Sequence, residues 1–163
     1  MALNAYLKLV GTQQGEIRGG VIQKGREGRV MVIAVDHEII SPRDAASGLA
    51  TGRRNHRPLV ITKELDQSSP LLWKALASNE EFSSFELQFF KPQKTTATST
   101  GVEVQNYTIK LTRACIAGIH FAMPNNKNPE LLRYAEFEEV SFSYQKIEWI
   151  WTAGAITASD SWT

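Results

Sequence analysis

The residue types that perform chemistry are present in this sequence, but their spacing forms no recognised catalytic or metal-binding motif. The three histidines are His37, His56 and His120, and no second histidine or cysteine stands at metal-ligand spacing from them. In a strand, Asp36 and Glu38 would point to one face and His37 to the other. The chain lacks a Gly-x-Ser-x-Gly elbow and both common glycine-rich phosphate-binding motifs. The sequence therefore predicts no catalytic residue, no metal site and no cofactor.

Two pairs of adjacent carboxylates, Glu80–Glu81 and Glu138–Glu139, are the other candidates for acid–base chemistry. Neighbours on a strand face opposite ways, so the members of each pair are poorly placed to cooperate on one substrate. We therefore predict that both pairs lie on a solvated surface. The single cysteine, Cys115, excludes an intrachain disulfide, and its apolar neighbours predict a small buried side chain.

A long loop at residues 41–58 holds the one concentrated basic feature, the segment from Gly52 to Arg57. Loops of this length in a compact domain are usually functional or disordered. The arginines could bind phosphates, or their planar guanidinium groups could pair with carboxylates of another subunit. A merely solvated loop is the third possibility. The nearly balanced charge of the whole chain, +1, weakens the nucleic-acid interpretation.

Length and composition predict one domain. The chain has 163 residues, of which 42% are hydrophobic and 21% charged, and such a chain can bury a full core without disulfides or metal. Residues 1–8 lack the basic and apolar regions of a signal peptide, and no apolar window is long enough to span a membrane. We expect a single domain over residues 1–163, folded in the cytoplasm and independent of the general secretory route.

The elements that must position these residues are mostly strands, because apolar residues recur with a period of two. The alternation marks the segments 3–9, 29–40, 59–62, 85–89, 107–111, 140–144 and 147–151. The apolar phase slips by one between Tyr144 and Ile147, which predicts a β-bulge or a bend there. The polar stretch from Lys91 to Gly101 predicts a hairpin loop. The pattern as a whole favours an antiparallel β-barrel or sandwich.

One short helix is predicted after residue 67. Ser68 and Ser69 offer capping hydroxyls, and Pro70 stands where a missing N–H is tolerated. The apolar face that follows is formed by Leu71, Leu72, Ala75 and Leu76. Trp73 lies off this face, which predicts either a partly covered surface or a contact with another subunit. The expected fold is therefore mainly β, with one helix on the flank of the barrel.

An ordered set of short motifs resembles the haemolysin-coregulated protein (Hcp) family of the bacterial type VI secretion system. The set runs through nearly the whole chain, and its order makes it far more specific than any one motif. The matching segments are Tyr6–Leu9, Pro42–Asp44 with Gly48, Gly52–Leu59, Thr62–Asp66, Ser68–Leu72, Glu139–Tyr144, Ile147–Trp149 and Asp160–Trp162.

The resemblance implies a β-barrel with one flanking helix, related to phage tail-tube proteins. Six copies would form a homohexameric ring with a central channel, and the rings would stack into the inner tube of the secretion system. A contractile sheath would drive this tube and its VgrG-like spike protein out of the cell, with small effector proteins carried in the channel. The family implies no enzymatic activity, no cofactor, and no nucleic-acid or membrane partner. The protein would be cytoplasmic before firing and secreted afterwards, with no toxin domain after the barrel.

The resemblance also suggests where subunits touch, because residues 41–58 resemble the extended loop with which family members reach neighbouring subunits and the adjacent ring. We predict a contact set that consists of Asp44, Gly48, Arg53, Arg54 and His56. A second stacking loop is predicted at Thr95, Thr96 and Ser99. Three alternatives stay open: a ring-forming effector chaperone or adaptor that builds no long tubes, a small β-barrel enzyme that uses His37 or His56, and a nucleic-acid binder that uses the arginine loop.

Overall fold

The computed structural model describes residues 1–93 and 103–162. It is mainly antiparallel β with one α-helix, as predicted. The strands are β1 (Ala5–Gly11), β2 (Gly15–Ile17), β3 (Val30–Val32), β4 (Ala34–Asp36), β5 (Ile39–Ile40), β6 (Asn55–His56), β7 (Leu59–Glu64), β8 (Glu81–Pro92), β9 (Glu103–Thr112), β10 (Ala114–Ala122), β11 (Phe137–Ser143), β12 (Lys146–Trp151) and β13 (Ile156–Ser161). The helix α1 spans Ser69–Ala77, and a 3-10 turn spans Pro129–Leu131.

Six strands close into a barrel when β3 and β4 are counted as one. β1 pairs with β8 on one side and with β3 on the other. The chain passes from β3 into β4 through Ile33, whose N–H donates to the carbonyl of Thr62 in β7 at 2.8 Å. β4 pairs with β7, β7 with β11, and β11 with β10. β10 then returns to β8 through the pair Ala114↔Phe82, which completes the circuit.

The predicted slip in the apolar phase is a bend. β11 pairs with the barrel strands β10 and β7, whereas β12 leaves the barrel and pairs with β9 and β13. The register is the same on both sides of the break, since Ser143 pairs with Cys115 and Lys146 with Thr112. Arg113, which lies between β9 and β10 opposite the break, has a positive φ of 53°, which marks the corner there. The bend sends β9, β12 and β13 past the barrel as a sheet extension.

The alternating apolar side chains fill the interior of the barrel. Alternate residues of the strands are buried, including Leu7 and Leu9 of β1 and Leu59 and Ile61 of β7. Three phenylalanines, Phe82, Phe85 and Phe142, stack edge to face at the centre, with ring centroids 4.9 and 6.0 Å apart. Helix α1 packs the buried Leu72 and Ala75 against this core.

The helix begins without the predicted hydroxyl cap. Ser68 is the N-cap residue, but its hydroxyl donates to the Asp66 carboxylate instead of capping the helix. The Ser69 hydroxyl accepts the backbone N–H of Asp66 at 3.1 Å and the Lys63 ammonium at 2.9 Å. The start of the helix is therefore fixed by a polar network beneath it.

The prediction that Glu138 is solvated is wrong. Glu138 is only 1% exposed, because it occupies the inward phase of β11 together with Val140 and Phe142. Its charge is matched by the fully buried ammonium of Lys63, which lies 3.1 Å from Glu138 Oε2. Trp73 Nε1 donates to Glu138 Oε1 at 3.2 Å, and its ring stays partly exposed, as both alternatives for this residue require.

Glu80 is also buried, contrary to the same prediction. Its Oε2 accepts the backbone N–H groups of Gln13 and Gln14 at 3.3 and 3.0 Å. The carboxylate fits there because Gly11 has no side chain; a Cβ on that residue would collide with Oε2. Glu80 thus holds the β1–β2 turn in place. Cys115 is partly exposed instead of fully buried.

We expect truncation of Glu138 to be strongly destabilising, because the buried Lys63 ammonium then keeps the partly exposed Asp66 carboxylate as its counter-charge but loses the buried one. The Glu138→Ala variant should lose about 3–5 kcal/mol of unfolding free energy. Glu139→Ala is the matched control: it changes the adjacent, outward-facing residue and should lose less than about 0.5 kcal/mol. Urea unfolding followed by circular dichroism measures both. Equal losses in the two variants would contradict the buried ion pair.

Candidate subunit-contact loop

The long loop at residues 41–58 is a folded projection with a paired neck. β5 and β6 form a separate two-stranded sheet, with Ile39 opposite His56 and Ile40 opposite Asn55. Further out, Arg43 and Ala50 form an isolated β-bridge. The loop therefore leaves the barrel as a ribbon that runs out and back.

Asp44 and Gly48 build the tip of this ribbon. The Asp44 carboxylate accepts the Ser47 hydroxyl at 2.6 Å and the Ser47 backbone N–H at 2.9 Å. These hydrogen bonds lower the pKa of Asp44. Gly48 has a φ of +73°, which favours glycine, and its N–H donates to the Asp44 carbonyl. The turn leaves the Leu49 side chain 69% exposed.

The base of the ribbon is tied to the last strand by Arg54 and His56. Arg54 makes a two-pronged contact with Asp160 of β13, with Nε donating to Oδ2 at 2.7 Å and Nη2 to Oδ1 at 2.8 Å. His56 is 3% exposed, and its Nε2 lies 2.9 Å from the same carboxylate. The Trp162 ring covers His56, with centroids 5.5 Å apart. Two predicted contact residues are thus bound within their own chain.

A buried tyrosine extends this cluster into the barrel. The Tyr144 hydroxyl lies 2.8 Å from His56 Nδ1 and 2.8 Å from His37 Nε2. Because this tyrosine is at the bend between β11 and β12, the loop is fixed where the sheet extension leaves the barrel. We refer to His37, Arg54, His56, Tyr144 and Asp160 as the anchor cluster.

The charges of the anchor cluster set the direction of its hydrogen bonds. The Arg54 hydrogen bond, followed by that of His56, lowers the pKa of Asp160 to about 2, so this carboxylate accepts and His56 Nε2 donates. Burial raises the pKa of Tyr144 to about 12, so the phenol keeps its proton. The Tyr144 hydroxyl carries one proton, so it donates to one of the two ring nitrogens, His56 Nδ1 or His37 Nε2, and accepts from the other. Burial, then the nearby His56, lowers the pKa of His37.

Arg53 differs from the other residues of the predicted set. It is exposed and makes no ion pair within residues 1–93 and 103–162. It borders an open cavity of about 230 Å³, whose lining consists of Arg53, Arg54, His56, Ser161 and Trp162. The five predicted residues therefore fall into three groups: Asp44 and Gly48 form the tip, Arg54 and His56 form the anchored base, and Arg53 is an exposed cation.

The second predicted contact site, Thr95, Thr96 and Ser99, lies outside the described residues. The strands that flank it do pair as a hairpin, with Pro92 opposite Glu103. Across the described ranges, no group of three or more histidine, cysteine or acidic side chains is arranged to hold a metal ion. In the same ranges, no helix is long and apolar enough to cross a membrane.

Sequence reasoning missed Tyr144 and Asp160 as partners of the loop. In the sequence, Tyr144 belongs to the apolar face of a strand, and Asp160 belongs only to a terminal motif of the family. Both lie more than 80 residues from His56 along the chain, with separations of 88 and 104. A pairing across such separations leaves no local pattern, so only the fold reveals it.

Comparison with known proteins identifies relatives over the whole length. Residues 6–151 match the family model described as type VI secretion system effector, Hcp. The chain is 37% identical to the major exported protein of Pseudomonas aeruginosa PAO1, over 99% of this chain and 96% of that protein. A crystal structure of an Hcp protein superposes with a TM-score of 0.86 at 34% identity, covering 98% of both chains. An Hcp1 structure from E. coli EAEC 042 gives 0.84 at 31% identity, covering 99% of this chain and 100% of that one.

Replacement of Asp160 by asparagine should weaken the fold in a pH-dependent way. The folded-state pKa of Asp160 is about 2, below its ordinary value of 3.8, so the ionised carboxylate stabilises the protein above its unfolded-state pKa. We expect the melting temperature of Asp160→Asn to lie below that of the parent at neutral pH. The gap should close as the pH falls from about 5 to about 2.

Circular dichroism melting curves at a series of pH values measure this gap. Arg54→Gln removes the other half of the fork and should give a similar gap at neutral pH. A gap between the parent and Asp160→Asn that stays constant from neutral to acid pH would contradict the assigned role of the carboxylate.

Proposed function

The chain belongs to the Hcp family of type VI secretion system proteins, and from that premise we propose that it is a structural subunit of the inner tube, built from hexameric rings that stack head to tail. The observation that carries the stacking role is the anchored loop. The buried His56 and the two-pronged Arg54 contact tie the ribbon to the last strand and hold it in one orientation. A surface that binds a neighbouring subunit benefits from such a fixed orientation, because less entropy is lost on binding.

Ring formation needs two different complementary surfaces on each subunit, because its contacts are head to tail. The sheet extension supplies one candidate. Within the described part of the chain, β13 pairs only with β12, so its outer edge has unpaired backbone groups that can receive another strand. Trp151 and Ile156 are exposed beside this edge. These features support a lateral contact between neighbouring subunits.

The predicted loop residues would take different parts in ring stacking. Asp44 and Gly48 shape the tip, and Arg54 and His56 act as positioning residues because both are bound to Asp160. Arg53 is exposed and makes no ion pair within the described ranges, so it is free to contact a neighbouring subunit. This division means that loss of Arg54 would disturb stacking by releasing the ribbon, whereas loss of Arg53 would remove a contact directly.

The partners follow from the role as tube subunit. We propose that a contractile sheath surrounds the stacked rings, that a spike protein caps them, and that small effector proteins travel in the channel. Secretion by the type VI route fits the exported relative from P. aeruginosa. We also propose that the protein has no catalytic activity, since the anchor cluster engages His37 and His56 in hydrogen bonds with buried partners. Similarity over nearly the whole chain favours a tube subunit over a discrete ring adaptor.

We expect the purified protein to form rings with six times the 18.2 kDa chain mass. Native mass spectrometry gives the subunit number, and negative-stain electron microscopy shows whether the ring has an open centre. Arg53→Gln should still form rings, because Arg53 makes no ion pair with the sheet extension within the described ranges. A protein that stays monomeric over a wide concentration range would contradict the proposed function.

A further inference from the structure

We infer that an open cavity between the β2–β3 connection and the strands β8 and β9 is a binding site for a phosphate group. The cavity has a volume of about 260 Å³, and neither the ribbon nor β13 contributes to its lining. The inference therefore goes beyond the proposed function and does not depend on it. The lining residues that carry the argument are Lys24, Arg26, Arg29, Gln88, Phe90 and Glu103.

Arg26 fixes one wall of this cavity and neutralises its carboxylate. It is only 6% exposed, and its guanidinium carbon lies 3.8 Å from the ring centroid of Phe90 and 4.8 Å from that of Tyr6. Its Nη1 donates to Glu103 Oε2 at 2.7 Å and to Gln23 Oε1 at 3.2 Å. The β2–β3 connection is therefore tied to β9 by a closed ion pair, and the charge of the cavity depends on the other cations.

Arg29 is the cation that lacks an acceptor. Its Nε is shielded from solvent and has no hydrogen-bond partner, and its guanidinium makes no ion pair within residues 1–93 and 103–162. A shielded donor without an acceptor is unfavourable, so an acceptor that enters the cavity would be bound there. The planar guanidinium fork matches the oxygens of a carboxylate or a phosphate.

Lys24 adds a second free cation, and the net charge around the cavity is positive. Lys24 is exposed and has no ion pair in the part of the chain that the structure describes. The nearest other carboxylate, Glu27, is turned onto the Gly25 N–H, 3.0 Å from each of its oxygens, and borders a neighbouring cavity. With Glu27 counted beside Glu103, three cations still exceed two carboxylates.

The pKa of Glu27 reports the same positive field. Backbone hydrogen bonds of Glu27 and Gly25, followed by the charges of Arg29 and Lys24, lower the pKa of this carboxyl group. Both free cations therefore act on the same small region. A cavity with this balance of charge attracts anions.

The donors in the lining favour phosphate over carboxylate. Gln88 is 9% exposed, and its Nε2 makes only a long contact of 3.5 Å with Glu86, whose carboxylate is already paired with Lys110 at 3.1 Å. The cavity thus offers a guanidinium, an ammonium and an amide. A guanidinium alone satisfies the two oxygens of a carboxylate, whereas phosphate has further oxygens for the ammonium and the amide. Because the cavity is open, the phosphate can be free or part of a larger molecule.

Isothermal titration calorimetry with inorganic phosphate, at constant ionic strength in a chloride buffer, tests this site. We expect Arg29→Gln to weaken the Kd for phosphate by roughly tenfold or more, and Lys24→Gln to weaken it by a smaller factor. Arg133→Gln removes the same charge from an exposed arginine that does not line the cavity and should keep the Kd of the parent. Without phosphate, Arg29→Gln should melt no lower than the parent, because Arg29 has no partner inside the described fold.

A second titration with glycerol phosphate distinguishes the sources of the phosphate group. Tighter binding of this ester than of inorganic phosphate would support a phosphate carried by a larger molecule, and equal or weaker binding would support the free anion. Absence of binding heat from both probes would overturn the inference. So would equal affinities in Arg29→Gln and Arg133→Gln, or an Arg29→Gln variant whose loss of binding is accompanied by a lower melting temperature without phosphate.

Discussion

The carboxylate of Asp160 accepts the Arg54 guanidinium and lies within hydrogen-bonding distance of the buried His56 ring, and this one contact joins the long loop to the last strand. A long loop has many conformations available when it is free, and their loss opposes any contact that it makes. Here the loop loses this conformational entropy when the chain folds, so a partner that binds later does not have to order it. The ribbon is therefore preorganised, and its exposed groups can act as a defined surface.

The placement of charge separates structural from contact residues. The buried ammonium of Lys63 is matched by two carboxylates, Glu138 and Asp66, and the buried Glu80 carboxylate accepts two backbone N–H groups through Oε2. Burial of a charge without a partner would lower the free energy of unfolding strongly, so these groups stay with their partners inside the fold. By contrast, Arg43 and Arg53 on the ribbon are exposed and have no carboxylate partner within the described ranges. Exposed charges of this kind cost little free energy in the isolated chain and stay available to a partner.

Much of the fold could be predicted from the sequence because its signals are local. Alternation of apolar residues predicted the strands around Leu7, Ile61 and Ile109, and the Ser68–Pro70 segment predicted the single helix. The phase slip after Tyr144 predicted the bend, since a change of inward face requires one. The family was recognised from ordered motifs, and relatives over the whole chain confirm it.

What failed were predictions that depend on partners distant in the chain. Glu138 is buried and not solvated, and no residue beside it in the sequence indicates that Lys63 supplies a buried cation from another strand. The same limit hid the anchor: the basic segment is plain in the sequence, but its tie to Asp160 depends on β13 folding back beside it. A local pattern indicates which face of a strand a residue occupies. The residues that it contacts on that face come from strands distant in the sequence, so only the closed barrel identifies them.

The central claim is that the anchored ribbon bridges successive rings while its tie to β13 stays intact. A cryo-electron microscopy reconstruction of the assembled tube, at a resolution that shows side chains, tests it most directly. The account predicts that Arg54 and His56 stay on Asp160 of their own chain and that Arg53 contacts a subunit of the next ring. A ribbon released from Asp160, or one that points into solvent away from the adjacent ring, would contradict it.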